Sequence, residues 1–197
     1  MAINVLMIVG SPLKNGNTFL LAEAFMQGVS SRGATIEEVH VSNLSFKVSG
    51  CTSCRQCQRN TEYGCIINDG ASAVVKRMIG AHVIVIATPL YFFSASAQVK
   101  VIVDRMFSLY KWDNESNTME TVLKGKTLVL LASAFENAGL TMLEGPFRQT
   151  ADYSGMKFES LLVPDAGTSG QIFKNNPLAR SQAFRLGESL GRLGFQE

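Results

Sequence analysis

The chain has 197 residues, of which 46% are hydrophobic and 17% charged, with a formal net charge of +2. That size and mix suit one α/β domain with a single core, over residues 1–197, and the near-neutral balance excludes the basic or acidic blocks that mark a nucleic-acid partner. No apolar run reaches the roughly 18 residues a membrane span needs, which argues against a membrane partner.

The N-terminus runs from Met1-Ala2-Ile3-Asn4 straight into a strand, without the basic region and cleavage site of a signal peptide, so a cytoplasmic location is expected. In that compartment the four cysteines are expected as free thiols or metal ligands rather than disulfides.

Val5-Leu6-Met7-Ile8-Val9 reads as a strand buried on both faces of a parallel sheet. Residues 17–31 carry Phe19, Leu20, Ala24 and Phe25 at helical spacing, with Gly33 as the stop. Residues 35–41 alternate and include charges, as an edge strand does. After the cysteine-rich stretch 51–65, a helix is predicted over 69–79 and a second fully apolar strand over 82–87, closed by Thr88-Pro89. A helix over 97–109, a polar loop over 111–124 with the only tryptophan, Trp112, and a strand over 127–132 follow. The remaining elements are a helix over 140–154, a strand over 157–163, a flexible connection over 164–176 and a last helix over 177–193.

Five strands alternating with helices imply a parallel sheet with right-handed crossovers. The most apolar strands are the first, third and fourth, and the order 2-1-3-4-5 puts these at the centre. A ligand site then lies beyond the carboxyl ends of strands one and three, where the order reverses.

Gly10-Ser11-Pro12-Leu13-Lys14-Asn15-Gly16-Asn17-Thr18 joins the first strand to the first helix, where free N–H groups and the helix dipole favour an anion. Ser11, Asn17 and Thr18 add donors, and Gly16 allows close approach. A nucleoside-triphosphate loop needs Lys-Ser/Thr after its second glycine, and here Asn17-Thr18 follow Gly16. The dinucleotide fingerprint needs glycine where Pro12 stands. A phosphatase loop needs a cysteine and an arginine, and this loop has neither. What remains is a loop that holds a phosphate without attacking it; the plain alternative is a polar turn with an ordinary Asn or Thr cap.

Together with Cys51–Cys65, Thr88-Pro89-Leu90-Tyr91-Phe92 and Lys100-x3-Asp104-Arg105, this loop resembles the NAD(P)H-dependent FMN reductases, a flavodoxin-like group that includes the iron–sulfur flavoproteins. The likeness covers about the first 110 residues. It implies a flavodoxin-like three-layer sandwich that binds FMN. Ser11, Lys14, Gly16, Asn17 and Thr18 would then lie at the phosphate, and Pro89, Leu90, Tyr91 and Phe92 along the ring. Ser133 and Ala134 occupy the third flavin-contacting loop. Members often carry arginine where this chain has Leu13, which leaves Lys14 as the local cation. The amides of the 88–94 loop would meet the ring's polar edge, with Tyr91 or Phe92 against one face; Phe93 reads equally as core or subunit interface. Asp104 and Arg105 read as braces for the loops around the flavin, and His40 and His82 as structural.

Cys51-x2-Cys54-x2-Cys57-x7-Cys65 contains every cysteine in the chain. The first two gaps match a ferredoxin run and the last does not. The resemblance leaves two readings open: a [4Fe–4S] cluster lying near the flavin end of the sheet, or cysteines without a cluster, as packing or redox-active thiols. Zinc ranks below both, because four-cysteine zinc sites use two separated Cys-x2-Cys pairs.

The activity implied is transfer of electrons from NAD(P)H, bound transiently, or from a reduced carrier to a quinone, flavin or similar small-molecule acceptor. The alternatives are an iron–sulfur flavoprotein acting as an electron carrier and a non-catalytic FMN-binding module. The apolar balance points to a homodimer or homotetramer.

Overall fold

The computed structural model describes residues 2–113 and 115–191. Met1, Asn114 and residues 192–197 lie outside them, and with them one residue of the expected 111–124 loop and the end of the expected last helix. Five parallel strands form the central sheet: β1 (Asn4–Val9), β2 (Thr35–His40), β3 (Val83–Pro89), β6 (Thr127–Ser133) and β7 (Lys157–Val163). Their order is β2-β1-β3-β6-β7. Taken as the five sheet strands in sequence, this is the expected 2-1-3-4-5 arrangement, and the switch point falls between β1 and β3.

The strand period of two divides the core into two layers. Val5, Met7, Val9, Val83, Val85, Ala87, Val129 and Leu131 pack on one face with α1 (Asn17–Ser30) and α7 (Ala179–Leu190). Leu6, Ile8, Ile84, Ile86, Leu128, Leu130 and Ala132 pack on the other. That second face is covered by α3 (Gly70–Gly80), α4 (Ala97–Arg105) and α5 (Leu140–Ser154). The central strands are therefore buried on both faces, which is why they read as unbroken apolar runs. Among the described residues no helix is long and apolar enough to cross a membrane.

Four expectations are corrected. The third strand does not end at Ala87 but runs through Thr88 to Pro89, in register with Ser133, and Leu90 N–H still donates to the Ser133 carbonyl at 3.0 Å. The missing N–H of proline costs nothing there, because pairing with β1 has already ended at Val9 and Ala87. The 111–124 segment is a hairpin, β4 (Tyr110–Asp113) against β5 (Thr118–Thr121), with Trp112 opposite Met119. The helix predicted over 97–109 is α4 followed by a 3-10 turn over Met106–Leu109. Finally, the 164–176 connection contains the short helix α6 (Ile172–Asn175) and is tied to the body of the protein by side-chain amides.

Candidate functional site

The phosphate-loop candidate begins where β1 ends. A Cβ on Gly10 would come within 2.4 Å of Val99 Cγ2 and 3.0 Å of the Ala87 carbonyl oxygen, so only glycine lets β1 turn beneath α4. Ser11 Oγ accepts from Leu13 N–H at 3.2 Å and curls the loop, and Asn15 takes a left-handed φ of 62°. Helix α1 then starts with Gly16 as its N-cap and no side-chain cap. The first-turn N–H groups, including those of Asn17 and Thr18, thus have neither an intrahelical partner nor a capping side chain. Lys14 is exposed on the loop.

Two side chains from the sequence reading are already engaged within the protein. Asn17 Nδ2 donates to the carbonyls of Gly167 and Thr168 at 3.0 and 3.1 Å, and its Oδ1 accepts from Ile172 N–H at 3.1 Å. Its amide therefore straps residues 166–172 alongside the loop, and its backbone N–H is what it offers to an anion. Thr18 Oγ1 pairs with Ser133 Oγ at 3.1 Å, both residues being buried. This links the phosphate loop to the end of β6, where Ala134 is also buried.

The second loop, after β3, is a tight turn. Tyr91 and Ser94 exchange backbone hydrogen bonds at 2.9 and 3.0 Å around Phe92 and Phe93. Both central residues have positive φ, 46° and 63°. This is the hairpin geometry that normally demands Asn-Gly, and it costs phenylalanine about 1–3 kcal/mol at each position. Gly139 shows what holds it: a Cβ there would sit 2.3 Å from Phe93 Cδ1, so the ring lies directly on the start of α5. The amides of Leu90, Tyr91 and Ser94 are all used inside the protein. Tyr91, Phe92 and Phe93 are exposed, Phe92 completely, and so are Leu13 and Phe135. An apolar rim thus surrounds the carboxyl end of the sheet.

The four cysteines, all free, line a single cavity. Cys57 is buried on the short helix α2 (Gln56–Arg59), whereas Cys51 and Cys54 are exposed. The backbone N–H of Gln56 and the Thr52 hydroxyl hold the Cys54 thiol below its ordinary pKa. Among the described residues no three His, Cys, Asp or Glu side chains are placed to grip one metal ion. The cavity also borders Arg105, Phe107 and Ser108, past the C-terminal end of α4.

Arg105, expected to brace the flavin loops, braces the cysteine loop instead. It is 1% exposed, pairs with Asp69 at 3.2 Å, and donates to the Ile67 carbonyl at 2.9 Å and to Cys65 Sγ at 3.0 Å. Burial alone would raise the Asp69 pKa. The N–H groups of Ser72 and Lys47, with Arg105, outweigh it and hold the carboxyl below its usual value. Lys100 and Asp104 form an exposed helix pair. His82 Nδ1 accepts from Asn4 N–H at 2.9 Å, and His40 pairs with Glu38 at 2.8 Å, both structural uses.

A model of the NADPH-dependent FMN reductases matches residues 3–160. The chain belongs to that family. Among curated relatives, an iron-sulfur flavoprotein of Archaeoglobus fulgidus is 31% identical over half of the chain and 43% of its own length. The chain thus matches less than half the length of that relative. A Bacillus subtilis protein described as a putative NAD(P)H-dependent FMN-containing oxidoreductase is 23% identical over 92% of the chain and 95% of its own. Among solved structures, an NAD(P)H:quinone oxidoreductase from Methanothermobacter marburgensis superposes with a TM-score of 0.72 at 15% identity. It covers 98% of this chain and all of its own, a likeness of fold.

The start of α1 has no side-chain cap, which leaves its first N–H groups free for an anion. Sequence reasoning missed the Asn17 strap, the Phe93–Gly139 contact and the hairpin's grip on the cysteine loop. There Gln58 spans the Tyr110 carbonyl and Trp112 N–H, and Lys111 Nζ caps the carbonyls of Asn60 and Glu62. Only the alternation of Thr118-Met119-Glu120-Thr121 hinted at the hairpin.

Proposed function

We propose that residues 1–197 form one FMN-binding domain. It takes electrons from NAD(P)H or a reduced carrier and passes them to a quinone, a flavin or a similar small acceptor. The observation that carries this reading is the loop at the β1–β3 switch point: an uncapped helix start, a glycine-bounded turn and no nucleophile. Such a loop binds a phosphate and leaves it intact.

FMN, when bound, supplies the ring that accepts and donates the electrons. The chain's part is to hold and shield it. Ser11 and Gly16 shape the cradle, the N–H groups of Asn17 and Thr18 face the phosphate, and Lys14 adds a positive charge. Pro89, Leu90, Tyr91 and Phe92 form the ring's neighbourhood, with Ser133 and Ala134 at the third loop. The exposed rim of Leu13, Tyr91, Phe92 and Phe135 excludes water once a planar partner or a second copy of the chain covers it, which supports a homodimer or homotetramer. A nicotinamide donor has no fingerprint of its own in the chain, so it would have to stack transiently on the bound flavin. The test is the visible spectrum of purified protein under anaerobic NADPH. Flavin absorbance that bleaches supports the reading; a protein without flavin, or flavin that NADPH leaves oxidised, contradicts it.

The convergence of four free cysteines on one cavity favours a second reading, in which the chain also carries a [4Fe–4S] cluster and serves as an electron carrier. Cys51, Cys54, Cys57 and Cys65 would be its ligands. The name of the Archaeoglobus relative supports this. Iron and acid-labile sulfide analysis after anaerobic purification decides it, and a flavin-only protein eliminates it.

A further inference from the structure

We propose that Arg105 tunes the cysteine centre: its Nε–H, aimed at the Cys65 sulfur, raises the reduction potential of the cluster held there. The inference rests on the second reading above.

The guanidinium divides its donors along one stretch of chain. Nη2 donates to the Ile67 carbonyl at 2.9 Å and to Asp69 Oδ1 at 3.2 Å, and Nη1 reaches Asp69 Oδ2 at 3.4 Å. These contacts are enough to anchor the segment. Nε–H is left for Cys65 Sγ, at 3.0 Å. A neutral thiol is a poor acceptor, so a cationic donor gains little from it. A metal-bound thiolate carries negative charge and matches a charge-assisted donor well.

The placement is costly for a merely structural contact. Arg105 and the Asp69 side chain are each 1% exposed, and a buried ion pair of this kind is commonly replaced by apolar residues without loss of stability. The position is also fixed from behind. Asp69 caps α3 by accepting from Ser72 N–H at 3.1 Å, and it also accepts from Lys47 N–H at 3.1 Å, so the carboxylate cannot swing away with the guanidinium. The cavity lining adds a second cation, Arg55, and includes no carboxylate. Positive charge and N–H donors at the ligand sulfurs stabilise the more negative, reduced form of an iron–sulfur centre, which raises its potential.

The test compares wild type, R105K and the double variant R105Q/D69N, all reconstituted anaerobically with iron and sulfide. R105K keeps a cation for Asp69 but has no planar fork to serve the carboxylate and the sulfur together. R105Q/D69N removes both charges, so no buried ion is orphaned if R105K folds poorly. Iron and sulfide per chain are measured first, then the cluster midpoint potential by electron paramagnetic resonance during reductive titration. The expected result is a loaded wild type and loaded variants whose midpoints lie below the wild-type value, further below in the double variant. Loaded variants with the wild-type midpoint overturn the inference and leave the cluster reading intact. Folded variants that load no iron beside a loaded wild type also overturn it, since Arg105 is then needed for assembly and not for tuning. A wild type without iron and sulfide removes the cluster reading and the inference together.

Discussion

The phosphate loop is shaped by its own backbone, whereas the cysteine loop is held by side chains that arrive from elsewhere in the chain. Between Gly10 and Thr18 the turn is set by two glycines, a left-handed Asn15 and the hydroxyl of Ser11, all within nine residues. Between Cys51 and Asp69 the chain depends on the side chains of Arg105 from α4 and Lys111 from the hairpin, with Gln58 held by the Trp112 N–H. A loop of the first kind survives loss of single polar side chains but not added bulk. A loop of the second kind fails when one distant side chain is cut back.

The largest expected effect follows from that contrast. R105M leaves the buried Asp69 carboxylate uncompensated and is expected to lower stability by about 3–5 kcal/mol in urea denaturation, with R105M/D69L recovering most of it. The same brace has a pH signature. The Asp69 pKa is depressed in the folded protein, so its contribution is fully present above the ordinary carboxylate range and is lost as pH falls through the folded value. The stability gap between wild type and R105Q/D69N is expected to stay constant from pH 5 to pH 8 and to shrink in stronger acid. A gap that instead changes near neutrality would assign the brace to another group.

Bulk in the phosphate loop comes next. G10A drives a Cβ into Val99 and the Ala87 carbonyl and is expected to cost about 1–3 kcal/mol while weakening FMN binding. N17A removes the strap on residues 166–172 and is expected to cost a similar or smaller amount, near 1–2 kcal/mol, with faster hydrogen exchange confined to that strap. The smallest effect belongs to K14A. Stability should stay within about 0.5 kcal/mol of wild type, and FMN affinity should fall about tenfold by fluorescence titration. If K14A abolished binding, the loop would depend on side-chain charge after all.

The same contrast explains what the sequence made readable. The strand Lys157–Val163 and the helix Leu140–Ser154 follow from local periodicity, and so does the switch point between β1 and β3. The Gly10–Thr18 loop was legible because its determinants are neighbours in the chain. Arg105 was visible as a brace, but its target was not, because Cys65, Ile67 and Asp69 lie 36–40 residues away and meet it only after α3 and α4 pack. Asn17 had the composition of a phosphate donor, yet its amide binds carbonyls about 150 residues on. Phe92 and Phe93 run against turn propensity, and only the contact with Gly139 accounts for them.

The central claim is that the loop at Gly10–Thr18 holds FMN through its phosphate. Equilibrium titration of the apoprotein with FMN and with riboflavin, which lacks the phosphate, tests it most directly. FMN is expected to bind at least about 100-fold more tightly, a difference of about 2.7 kcal/mol. Equal affinities for the two flavins would contradict it.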